Sequence, residues 1–136
     1  SALLALALAG YLHDPPWAGA ITSGMRPWEE DPPGTRFRWT TGRASFFVPR
    51  EATVMTLPLR AVFPGADGRA TVVRVDVDGR WLADIKLPEP AAWVRAVLPL
   101  PRAARRRYRR VDLHVSRVVG FPLLGVETGE VVTERR

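Results

Sequence analysis

From Arg36 onward, apolar and polar residues alternate with a period of two, and turn-forming residues interrupt the alternation every eight to twelve positions. That rhythm belongs to short strands joined by tight connections. It predicts strands over 35–40, 44–49, 53–63, 70–77, 80–87, 92–100, 109–118 and 124–134. No stretch carries the sustained 3.6-residue period of a long amphipathic helix. Pro58 falls inside the third strand and predicts an edge position or a bulge, because proline has no N–H to give to a ladder.

About eight strands in roughly 100 residues need two sheets, since one flat sheet would leave an apolar face uncovered. The predicted fold class is therefore all-β, an antiparallel two-sheet β-sandwich, with jelly-roll and immunoglobulin-like arrangements both fitting the count. By alternation the core draws on Phe37, Trp39, Phe46, Val48, Leu57, Leu59, Val73, Val75, Trp81, Ile85, Val97, Val111, Leu113, Val115 and Val126.

The segment 71–87 permits a register prediction. Val73, Val75, Trp81, Ala83 and Ile85 all carry odd numbers, so a two-residue Asp-Gly turn would set an apolar face against a charged one. A three-residue loop, Val77-Asp78-Gly79, restores the match. Val75 then faces Trp81, Val73 faces Ala83 and Asp76 faces Arg80, with Gly79 in the left-handed conformation.

Composition narrows the functional classes. The 136 residues suit one domain, and 46% hydrophobic with 25% charged content supports a packed core. There is no cysteine, which removes disulfide frameworks, thiolate metal sites and cysteine nucleophiles. The net charge of +6 comes from 19 arginines and one lysine, Lys86, against 14 acidic residues. Much of the excess is local, in "RAARRRYRR" (102–110), where Arg105, Arg106, Arg107, Arg109 and Arg110 form a candidate basic patch around Tyr108. Arginine-rich usage also follows from genome composition, and charge runs usually face water, so nucleic acid is not the favoured partner.

The N-terminal "SALLALALAGYL" is apolar from Ala2 to Leu12, about half of what a bilayer crossing needs. We divide the chain into an apolar segment and linker, 1–23, read as the end of a transmembrane helix or a docking element, and a β-sandwich domain, 24–136. A membrane-associated location follows from the first of those readings.

Three motifs point to a family. "GMRPWEEDPPGTRFRWTTGRASFFVP" resembles the opening of β-sandwich domains attached to bacterial membrane glycosyltransferases and other cell-envelope proteins. "VRVDVDGRWL" is similar to a hairpin of galactose-binding-like jelly rolls, and "LGVETGEV" to their Leu-Gly-containing last strand. The resemblance spans roughly Gly24 to Val132. Where an Asp-x-Arg is expected before the final Leu-Gly, this chain has "GFPLLG". The resemblance implies a galactose-binding-like jelly roll, used for carbohydrate recognition and as a non-catalytic accessory to envelope enzymes, with a glycan or a catalytic domain as partner.

Sugar binding requires an aromatic face for pyranose C–H groups and planar polar side chains for hydroxyl pairs. Trp17, Trp28 and Trp93 are the tryptophans that alternation leaves outside the core. Trp28 has Arg26, Glu29, Glu30 and Asp31 beside it. The candidate ligand-binding set is Trp28, Glu29, Glu30, Arg26 and Trp93. The resemblance also implies a structural calcium between early and late strands, with Glu30, Asp31 and Glu127 as its candidates. Carboxylates beside arginines more often form ion pairs, however, so no metal or cofactor is assigned.

No catalytic constellation emerges. His114 shares a strand face with Asp112 and Ser116, but residues at i, i+2 and i+4 stand about 7 Å apart along a strand, beyond the reach of a nucleophile and its base. His13 has no partner visible in the sequence. The remaining readings are a non-enzymatic carbohydrate-binding or accessory module, a polyanion-binding domain built on 102–110, and a purely structural domain.

Overall fold

The computed structural model describes residues 22–31, 34–62, 70–88, 92–101, 108–116 and 124–135. It is all-β: β1 (Thr22–Met25), β2 (Glu29–Asp31), β3 (Thr35–Pro49), β4 (Val54–Arg60), β5 (Thr71–Val77), β6 (Arg80–Leu87), β7 (Trp93–Pro99), β8 (Tyr108–Val115), β9 (Glu127–Thr128) and β10 (Val132–Glu134). All pairings are antiparallel, in the order β10-β4-β9-β3-β8-β5-β6. β1 and β2 add to β3, and β7 adds to β4.

The two segments expected as separate strands, 35–40 and 44–49, are one 15-residue strand that serves both layers. The first part of β3 pairs with β9 through Arg38 and Trp39, and its second part pairs with β8 from Arg43 to Pro49. Between them the register against β1 jumps, with Met25 opposite Thr40 but Ser23 opposite Ser45. Gly24 alone therefore faces Thr41 to Ala44. It has a φ of 70°, and a Cβ there would stand 2.1 Å from the Arg43 carbonyl oxygen.

The corner is held from the other side by Thr40, which is fully buried. Its N–H donates to the Val126 carbonyl at 2.8 Å, its carbonyl accepts from Gly125 N–H at 2.8 Å, and its hydroxyl accepts from Val126 N–H at 3.1 Å. A Cβ on Gly125 would meet the Thr41 carbonyl oxygen at 2.6 Å. The Leu-Gly of the last motif is thus a close-approach glycine.

Met55, Leu57 and Leu59 of β4 pack with Val73, Val75, Val111, Leu113 and Val126 in one core cluster. Three expected core members, Val97, Trp81 and Trp39, lie outside the core cluster. Val97 is 59% exposed because β7 faces β4 with Val94, Ala96 and Leu98 opposite Leu59, Leu57 and Met55, which selects its even-numbered side chains for the core. Trp81 is also 59% exposed, and Trp39 is only half-buried.

The Trp81 result follows from a corrected hairpin register. The turn has two residues, Asp78 and Gly79, with φ of 50° and 81°, the positive pair that a type I′ turn demands. Parity is repaired instead by a bulge: Asp76 faces Trp81 but Val75 faces Ala83, so Leu82 is the extra residue. Val73 then faces Ile85, and Trp81 turns to the solvent side with Asp76. Asp78 tolerates its left-handed backbone because it is tied to β8, its N–H donating to Arg110 O at 2.8 Å and its Oδ1 accepting from Arg110 N–H at 2.9 Å.

Pro58 is not on an edge. β4 pairs with β7 on one side and with β9 and β10 on the other, but the second ladder is interrupted between Leu59 and Thr56. Pro58 sits in that interruption, its carbonyl accepting from Gly129 N–H at 3.1 Å.

No helix among the described residues is long and apolar enough to cross a membrane. The apolar run 2–12 lies outside the described residues.

Gly125→Ala should lower stability by about 1–3 kcal/mol, because the added methyl must displace backbone at the corner. Gly79→Ala meets open space and should cost only the left-handed backbone penalty, about 1–2 kcal/mol. Urea denaturation of both variants measures the difference. A silent Gly125→Ala would refute the close approach.

Candidate functional site

On the solvent side of β4, opposite its core-facing Met55, Leu57 and Leu59, stand Thr56, Pro58 and Arg60. Arg60 directly faces Trp93 on β7 and Glu127 on β9, and Glu127 directly faces Trp39 on β3. Direct opposition places all four side chains on one face of the sheet. This face carries a groove of about 450 Å³ whose lining includes Glu30, Arg36, Trp93, Arg95 and Glu130.

The groove rests on an ion cluster. Arg60 Nε donates to Glu127 Oε2 at 2.5 Å, and a terminal guanidinium nitrogen reaches Asp31 Oδ2 at 2.9 Å and also contacts Glu127. The guanidinium lies over the rings of Trp93 at 4.6 Å and Phe37 at 5.4 Å. Burial pushes the Glu127 carboxyl up from the usual range; hydrogen bonding to Arg60 opposes this, while Asp31 and Glu29 add to it. For Arg60, burial alone would lower the pKa, but its hydrogen bonds to Asp31 and Glu127 outweigh that and raise it. The two groups are joined by short bonds in a partly desolvated setting.

A second cluster stiffens the opposite rim. The guanidiniums of Arg36 and Arg38 lie over the Trp28 ring, 4.4 and 4.3 Å from its centroid. Arg36 also donates to Glu130 at 3.1 Å, which ties β3 to the approach of β10. Burial, then repulsion from Arg36, lowers the Arg38 pKa, and its buried Nε has no hydrogen-bond partner.

Of the predicted ligand-binding set, the groove brings together Glu30 and Trp93. Trp28 stands outside the lining, occupied by the two arginines, and acts on the groove through Arg36. Glu29 faces Phe37 across the β2–β3 ladder, and the Arg26 backbone is bound to Trp39. Arg36, Arg95 and Glu130 were missed. Arg36 was legible only as an outward arginine, and Glu130 reaches it across 94 positions, which no local pattern reveals.

Two of the calcium candidates, Asp31 and Glu127, do meet, but on the guanidinium of Arg60. Among the described residues no three His, Cys, Asp or Glu side chains are grouped to hold a metal ion.

In the basic run, Arg105, Arg106 and Arg107 lie outside the described residues. Arg109 is no part of an exposed patch: it is 3% exposed and donates to the carbonyls of Ala52 at 2.5 Å, Arg50 at 3.0 Å and Pro101. Arg110 is exposed and paired with Asp112 at 3.0 Å.

His114, Asp112 and Ser116 each have other partners. Asp112 accepts from Ser45 Oγ at 2.5 Å, Ser116 Oγ accepts from Val72 N–H at 2.9 Å, and His114 Nε2 lies 3.4 Å from Asp76.

No family model matches the sequence, and a search of curated proteins found no match. Solved structures do share the architecture. The chain superposes on a family two carbohydrate esterase from Clostridium thermocellum, in complex with cellohexaose, with a TM-score of 0.53 at 12% identity, covering 84% of this chain and 31% of the esterase. It also aligns with a family 35 carbohydrate binding module from Clostridium thermocellum (TM-score 0.47, 12% identity, 84% of this chain, 92% of the module). A family 35 module from an environmental isolate gives 0.44 at 13% identity, over 83% and 93%. The likeness to the esterase structure is one of fold alone.

Replacing Arg60 by Met should destabilise the domain by about 3–5 kcal/mol at neutral pH, because Glu127 is left buried without its cation. The loss should shrink as pH falls. Without Arg60 the folded-state pKa of Glu127 stays raised above its unfolded value, so the folded state gains protons more readily and the penalty fades below that pKa. Urea denaturation at neutral and mildly acidic pH checks this, and adding Glu127→Gln should abolish the pH dependence.

Proposed function

We propose that this domain is a non-catalytic carbohydrate-binding module that seats a glycan in the groove beside Trp93. The observation that carries the reading is the composition of the groove. A tryptophan there stands among planar polar side chains, Glu30, Arg36, Arg95 and Glu130, in a volume of about 450 Å³, within the ordinary range for small-ligand sites of about 300–1,000 Å³.

The chemistry fits a sugar. The Trp93 ring supplies a flat apolar surface and is held by the Arg60 guanidinium. The side chains of Arg95 and Glu30 have no hydrogen-bond or ion-pair partner among the described residues, so a donor fork and a pair of acceptor oxygens are available for hydroxyls. Arg36 and Glu130 neutralise each other, which leaves the groove without a large field of either sign.

In this reading the module is an accessory to a glycan-handling protein of the cell envelope, on the outer side of the membrane. The apolar run 2–12 and the resemblance to glycosyltransferase-attached domains support that placement.

A glycan array followed by titration of the hits tests the proposal. Trp93→Ala should weaken binding by about 1.5–3 kcal/mol, the value of one buried aromatic contact, or roughly 10- to 150-fold in Kd. Trp28→Ala should act indirectly and by less, through a loosened Arg36. Affinity should change little with salt, whereas a polyanion held by Arg105, Arg106 and Arg107 would be lost steeply. A blank array would refute the proposal.

A further inference from the structure

The solvent face of the other sheet carries a polar arrangement that the groove does not use. Its centre is a row across five strands: Trp81 on β6 faces Asp76 on β5, which faces Asp112 on β8, which faces Ser45 on β3, which faces Ser23 on β1. With strands about 4.8 Å apart, the row runs for roughly 19 Å. At one end stands Trp81, the largest exposed apolar side chain among the described residues, its ring fixed by a 3.0 Å bond from Nε1 to Asp84.

The middle of the row breaks a rule of sheet stability. Asp76 and Asp112 are directly opposite and are 8% and 3% exposed, although facing like charges disfavour pairing. Each is compensated by an arginine on its own strand, Arg74 on Asp76 at 2.9 Å and Arg110 on Asp112 at 3.0 Å, and His114 adds a contact to Asp76 at 3.4 Å. The carboxylates are covered, whereas the arginines are about half-exposed and His114 is 36% exposed. Buried acids therefore orient accessible planar donors beside an exposed, immobilised indole. Pre-organisation of this kind from a supporting layer is what a binding surface needs, and a merely solvated face does not require it.

We infer that this face is a second binding surface, for a neutral glycan chain that stacks on Trp81 and is hydrogen-bonded by Arg74, Asp84 and His114. Internal pairing of Asp76 and Asp112 leaves no strong field to select an ion, which favours a hydroxyl-rich, uncharged ligand over a charged one. Only the class of ligand rests on the proposed function; the surface itself shares no residue with the groove. Two surfaces on the two outer faces would let one module grip neighbouring chains of a polysaccharide, with affinity gained through effective concentration.

The test uses the full chain and four proteins: wild type, Trp81→Ala, Trp81→Phe and Trp93→Ala. Each is titrated calorimetrically with soluble hexasaccharides of β-linked glucose, xylose and N-acetylglucosamine, and sedimented with insoluble cellulose, xylan and chitin. Trp81 is exposed, so its variants should fold, which circular dichroism confirms. We expect two oligosaccharides per wild-type chain, one for Trp81→Ala, one for Trp93→Ala and two for Trp81→Phe. Affinity for the matching insoluble polymer should fall roughly tenfold or more in either alanine variant. A single site that Trp81→Ala leaves intact would overturn the second surface and spare the groove. Loss in Trp81→Ala with Trp93→Ala unaffected would uphold the second surface and overturn the groove. No binding of any probe by the wild type would overturn both.

Discussion

The structure depends on one strand belonging to two sheets. β3 turns from the β4–β9 layer into the β5–β8 layer between Thr40 and Ser45, and a chain that bends there exposes backbone groups that the ladder no longer satisfies. The Thr40 N–H, carbonyl and hydroxyl all bond to Gly125 and Val126, so a late segment closes what an early strand opens. Gly24 and Gly125 flank the corner because a side chain at either position would collide with backbone. The core can form a single cluster only because that corner brings β4 against β5 and β8.

The corner also explains the location of the charged side chains. With β3 shared, its first part carries Arg36 and Arg38 to the side where β2, β9 and the approach to β10 converge, and the carboxylates Asp31, Glu127 and Glu130 arrive from those three elements. Arg60 then holds Asp31 and Glu127 while stacking on Trp93. The same guanidinium supplies both the electrostatic balance of a buried acid and the seat of an aromatic ring, so stability and the shape of the groove are linked.

The strands from β3 to β8 were legible in the sequence because period two and turn spacing are local properties, whereas β1 and β2 precede the alternation, in 22–31, and the strand expected over 124–134 is broken between β9 and β10. The alternation located Phe37, Val48, Leu57, Val75 and Leu113 inside, where they are found. It failed at Trp81 and Val97, for different reasons. A single extra residue, Leu82, reverses the side on which Trp81 falls, and parity counted from the strand's far end cannot register it. Val97 depended on which face of β7 would meet β4, a choice made by a partner about 40 residues away. The lining of the candidate groove was legible in half: Trp93 and Glu30 stood out by residue type, but Arg36–Glu130 and Arg60–Glu127 are pairings across distant strands. Arg109 looked like part of a charge run, yet it is buried and fixed by three carbonyls.

The bulge at Leu82 has a consequence for how this protein stays apart from its neighbours. Among the described residues β6 pairs only with β5, which makes it the edge of the ladder they form. A long, flat edge is a template on which another copy can add a strand. Here the bulge twists the edge near its start, and Asp84 and Lys86 stand exposed along the remainder. The irregularity that turns Trp81 outward also makes the strand a poor seed for sheet-to-sheet growth, so the chain can display an aromatic ring at its margin without inviting polymerisation.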